Sequence, residues 1–257
     1  SVIAGAQTTI GGASVILDNF AIANANVSFT SVTFNSTWDI SGANSIYYTY
    51  TFFNGDLSLP SGTVMIQNSV LQTGINGNLT LLPGSQWTHI ANTAAKSYIV
   101  KLNVTGNLDL QAGASINVDG KGYAAGSGPG VGNYYNYGAG GGHGGAGGSS
   151  NGASGGVAND SLTNPIDLGS GGASGGGSGG GAAIISVTGA FTGNGTITAN
   201  GTAVGIYNGG GAGGTINIIA GSVTGSGIMR ANGGSAGTYG GGGSGGRIAL
   251  KSTNQTD

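Results

Sequence analysis

The sequence predicts an all-β chain wound as a parallel β-helix, and three recurrences predict it. The phrase G-x-L-x-L-x-x-G occurs at 55–62 (GDLSLPSG), 77–84 (GNLTLLPG) and 106–113 (GNLDLQAG), at spacings of 22 and 29 residues. Glycine blocks at 175–180 (GGGSGG), 209–214 (GGGAGG) and 241–246 (GGGSGG) return after 34 and then 32 residues, each followed by a short β-type run. Between them, 193–201 (GNGTITANG) matches 225–233 (GSGIMRANG) at a spacing of 32. Such periods mark stacked supersecondary units that extend a core along one axis. Alternation of Leu with polar residues puts both leucines of each phrase on one strand face, and the closing glycine permits a sharp turn. One coil of a parallel β-helix uses a period of this size and stacks about 4.8 Å from the next. A β-sandwich or jelly roll is the alternative, with simple turns every ~8 to 12 residues and no recurring phrase.

In chain order, residues 1–12 read as an N-terminal strand set off by Gly11 and Gly12. This strand is uncharged, contains Val2, Ile3, Thr8 and Ile10, and is a candidate for donation to a neighbouring subunit. Residues 13–122 read as β-rich coils. Runs at 15–17, 27–30, 32–34, 47–53 and 64–66 are β-branched or aromatic, and Gly, Asn, Asp or Ser punctuate them. Residues 123–181 are the richest in glycine, and 141–149 (GGHGGAGGS) is three consecutive G-G-x triplets, which suits polyproline II with three residues per turn. An isolated segment of this kind is floppy, because glycine loses the most entropy on ordering. Order requires side-chain-free faces that let backbones approach and bond laterally. The region reads either as an ordered, polyproline II-like glycine-rich insertion beside the β-helix or as a flexible loop. Residues 182–257 read as glycine-block and strand repeats that continue the β-helix.

Composition narrows the class. The 59 glycines among 257 residues are about three times ordinary usage, and charged residues are 5% against a typical ~25%. Helix formers are scarce, since no glutamate is present and Lys plus Arg total 6. Six scattered basic residues exclude a nucleic-acid footprint. No run reaches the ~18 apolar residues of a membrane helix. Cysteine is absent, so there is neither a disulfide framework nor a thiolate metal site. The first residues lack the basic and apolar regions of a signal peptide, and the chain is read as a processed mature protein or an excised segment. Protonating all eight aspartates moves the net charge only from −2 to about +8, a small swing, so the chain is expected to stay folded in acid.

Few residues point to chemistry. The glycine tracts satisfy G-x-G-x-x-G by abundance alone and lack a βαβ context. His143 is read as packed within the glycine tract or exposed, because His89 is its only companion in the sequence and no metal site is expected. Asp109, Asp119 and Lys121 lie close together, but 119–122 (DGKG) reads as a turn at a coil corner, so no catalytic residue is assigned and no cofactor is expected. Eight N-glycosylation sequons occur, at Asn26, Asn35, Asn78, Asn103, Asn159, Asn194, Asn200 and Asn254. Tyr123, Tyr134, Tyr135 and Tyr137 form an aromatic cluster, of which the last three are the interface candidates, that suits an interface, a sugar contact or a cap over the glycine tract.

The segment 102–120 (LNVTGNLDLQAGASINVDG) resembles the coils of secreted right-handed parallel β-helix proteins of the adhesin and autotransporter-passenger type. Tracts such as 138–148 (GAGGGHGGAGG) resemble the glycine-rich repeats of large secreted microbial surface proteins, and the likeness covers residues 75 to 252. In composition the chain is similar to extracellular filament subunits of thermoacidophilic archaea. The resemblance implies an extracellular or cell-surface location and an architectural part. The expected function is that of a structural subunit of a filament, sheath or surface layer, assembling with copies of itself through strand edges. An adhesin or carbohydrate-binding module contacting surface glycans is the alternative, and a polysaccharide lyase or glycoside hydrolase is a third reading.

Overall fold

The computed structural model describes residues 7–17, 20–23, 26–35, 38–41 and 44–254, and among them there is no helix. Strands come in groups laid one upon another. β1 (Gln7–Leu17) and β2 (Phe20–Ala23) form the first level, and β3 (Asn26–Phe34) and β4 (Trp38–Ser41) form the second. The third comprises β5 (Ser45–Tyr48), β6 (Thr51–Phe53) and β7 (Leu57–Leu59), and the fourth β8 (Val64–Gln67), β9 (Thr73–Ile75) and β10 (Leu79–Leu81). The fifth comprises β11 (Gln86–His89), β12 (Val100–Val104) and β13 (Leu108–Leu110). The last three are β14 (Ser115–Asn117) with β15 (Ala182–Gly193), β16 (Thr196–Thr198) with β17 (Thr215–Thr224), and β18 (Ile228–Arg230) with β19 (Arg247–Ser252).

Every ladder between these strands is parallel, and the ladders fall into three columns. The first runs from the start of β1 through the start of β3, then β5, β8, β11, β14, β16 and β18. The second runs from the end of β1 through the end of β3, β6, β9, β12 and the first halves of β15 and β17 to β19. The third runs from β7 through β10 and β13 to the second halves of β15 and β17. Together these make one 17-stranded sheet, and β2 and β4 pair as a separate parallel couple. The sandwich alternative is thereby overturned, because its sheets are built from antiparallel neighbours.

Register stacks like on like. Val27, Ile46, Met65, Trp87, Ile116 and Ile197 succeed one another in the first column, all buried. Leu57, Leu79, Leu108 and Phe191 do so in the third. The two leucines of each recurring phrase are buried and the residue between them faces outward, as the period-2 pattern requires. All three columns contribute to a single apolar cluster. The closing glycines of the phrase, Gly62, Gly84 and Gly113, take φ of 80°, 82° and 87°, a conformation that a side chain resists. The expected single strand at 47–53 is instead β5 and β6, with a bend at Thr49 and Tyr50 where the chain passes from the first column to the second.

Polar ladders bind the levels at their corners. The Asp56 carboxylate accepts the Asn78 N–H at 2.7 Å, the Asn78 amide oxygen accepts the Asn107 N–H at 2.9 Å, and that of Asn107 accepts the Ala190 N–H at 2.8 Å. A second ladder runs from Asp119 to the Asn200 N–H (2.6 Å) and from Asn200 to the Asn232 N–H (2.8 Å). Each starts with aspartate and continues with asparagine. A carboxylate only accepts, whereas an amide accepts from the next level and donates to the previous one, as Asn78 and Asn200 do to Asp56 and Asp119.

Connections between the first and second columns lengthen in the upper levels, and there the glycine tracts gather. Extended segments, assigned neither helix nor strand, bond laterally to several neighbours at once. Gly180 donates to Ala212, Gly213 to Ser244, Gly210 to Gly241, Gly141 to Gly210, and Gly156 to Gly140, all at 2.8–2.9 Å. The glycine-rich stretch within 123–181 therefore forms one hydrogen-bonded lobe with the blocks at 209–214 and 241–246.

Candidate functional site

Two surfaces stand out, and the first is the end of the stack. In β17, Ile216 and Ile218 are fully buried, yet their register partners Ile248 and Leu250 in β19 are 48% and 46% exposed. The difference arises because no further level covers β19 among the described residues. Beside them Phe191, Ile197, Val223, Met229 and Leu250 line an apolar cavity of about 300 Å³. The β18 and β19 edges there pair on one side only among the described strands, and one-sided edges are templates for further pairing.

The second surface is at the tip of the glycine lobe. Three levels each send a tyrosine there: Tyr137, Tyr207 and Tyr239. Their ring centroids lie 5.0–5.7 Å apart with interplanar angles of 9–19°. The Gly138 N–H donates to the Tyr207 carbonyl (2.8 Å), and the Tyr239 N–H donates to the Ile206 carbonyl (3.0 Å), which ties the three loops together. Tyr207 and Tyr239 are about half exposed, and Tyr134 and Tyr135 are more so. Sequence reasoning singled out Tyr134, Tyr135 and Tyr137 but missed Tyr207 and Tyr239. The signal was present: both precede a glycine block by one or two residues, 32 residues apart.

The remaining sequence candidates are dispersed. Val2 and Ile3 lie outside the described residues. Thr8 and Ile10 belong to β1, paired with Val27 and Phe29 of the same chain, and β1 continues through Gly11 and Gly12 to Leu17. Asn26, Asn35, Asn78, Asn194 and Asn254 are exposed, and Asn103, Asn159 and Asn200 are half-buried. The amide nitrogens of Asn78, Asn159 and Asn200 are held by Asp56, the Gly142 carbonyl and Asp119. Among the described residues no three His, Cys, Asp or Glu side chains come together, and no helix is long and apolar enough to cross a membrane. Asp109 receives a bond from Gln111 on the outer face of β13, while Asp119 serves its ladder.

Both histidines are fully buried. His143 is fully buried in the lobe, with Nδ1 2.8 Å from the Gly213 carbonyl and Nε2 3.5 Å from the Asp160 carboxylate. Backbone N–H groups of Ser161, Ile166 and Asp167 converge on Asp160. Burial pushes that carboxyl up, but these bonds outweigh it and leave its pKa lowered.

His89 sits where the lobe meets the stacked strands. It is fully buried, its Nδ1 donates to the Ile90 carbonyl at 2.7 Å, and its Nε2 has no partner. Burial lowers its pKa to about 4, and the Lys121 charge adds to the effect. The unfolded chain takes up a proton near pH 6.5 that the folded chain refuses until about pH 4. Stability is therefore expected to fall by about 3 kcal/mol as pH drops through that window, and to lose nothing more from this group below it. Urea midpoints measured from pH 7 to 4 check this, and His89→Gln should flatten the slope; an unchanged slope would reject the assignment.

No protein-family model, curated protein or solved structure matches the chain.

Proposed function

We propose that the chain is a structural subunit of an extracellular filament, sheath or surface layer, and that copies assemble through their terminal strand levels. In this reading the three columns enclose the core as a right-handed parallel β-helix, and the lobe is a bundle of polyproline II-like segments. The observation that carries it is the half-exposure of Ile248 and Leu250, whose partners one level below are fully buried. A further parallel level laid on β18 and β19 would cover those side chains and complete the strand edges at once. β1 offers the matching edge at the opposite end, because β3 is its one partner among the described strands. Since Thr8 and Ile10 are paired within the chain, stacking of whole levels fits better than strand donation by the described part of 1–12.

The scarcity of charge supports the same reading. Stacked levels, within a copy and across a junction, hold neighbouring strands about 4.8 Å apart, and Asn, Thr and Gly tolerate that spacing without the repulsion that facing like charges would create. Electron microscopy of the native material, with mass spectrometry of the intact chain, tests the proposal. Regular filaments containing a chain heavier than 24.5 kDa are expected, with sugar on exposed Asn26, Asn35, Asn194 or Asn254 and none on Asn78, Asn159 or Asn200. A monodisperse, unmodified monomer would overturn it.

A further inference from the structure

We propose that the tyrosine cluster at the tip of the glycine lobe is a binding site for a neutral polysaccharide. The inference is independent of the assembly reading, because it concerns a surface on the lobe and not the end of the stack.

The cluster has the properties such a ligand requires. Tyr137, Tyr207 and Tyr239 present near-parallel rings with centroids 5.0–5.7 Å apart, and Tyr207 and Tyr239 are 55% and 48% exposed. Aromatic rings pack against the C–H faces of sugar rings while their hydroxyls stay in water, so one residue supplies both an apolar and a polar contact. The loops are tied to one another and to the lobe by backbone hydrogen bonds, so little ordering remains to oppose binding.

Charge selects the ligand class. Residues 123–159 contain no Asp, Glu, Lys or Arg, and residues 199–246 contain Arg230 alone. A surface of tyrosine, asparagine and backbone amides brings donors and acceptors but no cluster of positive charge to offset a phosphate, sulfate or uronate, and it matches the hydroxyls of an uncharged glycan. A second copy of the chain fits less well. Apart from Ile206, the large exposed groups of the tip are tyrosines, which do not supply the continuous aliphatic surface of a dry interface, and sedimentation decides between the two.

Affinity electrophoresis tests the proposal, with the full chain run through gels containing yeast mannan, glycogen or hydroxyethyl cellulose, and with heparin and polygalacturonate as charged controls. At least one neutral polymer should retard the chain and neither charged one should. Tyr207→Ala and Tyr239→Ala should weaken retention about tenfold or more, whereas Tyr207→Phe should stay within about threefold. Circular dichroism identifies variants that fold. If the alanine variants do not, the tyrosine near-ultraviolet difference spectrum of the unaltered chain, titrated with the retained polymer, must show ring contact. Failure of every neutral polymer to retard the chain, or equal retention of a folded alanine variant, overturns the proposal. So does self-association in sedimentation that Tyr207→Ala abolishes, which would assign the cluster to a second copy. Filaments that persist in the tyrosine variants leave the assembly reading untouched, so the two proposals fail separately.

Discussion

Replacing Gly179 with alanine is expected to destabilise the folded chain by at least about 3 kcal/mol and to loosen the whole glycine lobe. A Cβ at this position would sit inside the van der Waals envelope of the Gly169 carbonyl, which is backbone and cannot rotate away. Gly179 is also pinned by two bonds, donating to the Tyr123 carbonyl at 2.9 Å and accepting from the Gly122 N–H at 2.7 Å. Displacing it parts these segments, and the N–H and C=O groups left behind are buried without partners, at about 1–3 kcal/mol each. Gly145→Ala is the control. Nothing lies within 4 Å of its Cβ position, and its φ is not positive, so a change within about ±0.5 kcal/mol is expected. Unfolding midpoints and amide hydrogen exchange across 123–181 read the difference. Equal behaviour of the two variants would mean that the lateral packing does not hold the lobe.

Trp87→Ala is expected to cost about 3–5 kcal/mol, the range for removing a fully buried large aromatic ring. Trp87 stands midway along the first column, above Met65 and below Ile116, and no solvent reaches it. Its Nε1–H donates to the Tyr48 hydroxyl at 2.7 Å, which in turn donates to Gln67 at 3.2 Å. The Tyr48 and Trp87 rings meet edge to face at 6.0 Å, so one substitution opens a cavity and removes a hydrogen-bond donor together. Trp87→Phe separates the two effects. It keeps most of the ring, removes the donor, and should cost about 1–3 kcal/mol. Urea unfolding of the three proteins provides the comparison, and a loss below about 1 kcal/mol for Trp87→Ala would contradict the packing described. Because each level touches only its neighbours, a change in the urea slope would mean that the levels on either side of Trp87 have begun to unfold separately.

The axial repetition was legible in the residues because it is a local property. Alternation in Leu57-Ser58-Leu59 and its two successors sets which side chains face inward, and glycine at 62, 84 and 113 sets the turn. Both follow from strand geometry and backbone sterics over a few residues. The break between Tyr48 and Thr51 was not legible, because the β-type run is continuous there and the corner is imposed by the ladders above and below. The aspartate and asparagine ladders escaped notice for a related reason. Asp56, Asn78 and Asn107 share the second position of the recurring phrase, so their alignment is in the sequence, but that each side chain reaches the N–H of the next level shows only when the levels are superposed.

The sequence by itself determined the all-β character, the stacked levels and the inward-facing leucines, because each rests on neighbours along the chain. Tertiary structure alone decided that His89 is buried at the seam, that the glycine blocks join one lobe, and that Tyr137, Tyr207 and Tyr239 meet at its tip. Those contacts join residues 70 to 102 positions apart in some pairs, such as Tyr137 with Tyr207 and Tyr239. They depend on the rise and register of levels already stacked, which no local pattern carries.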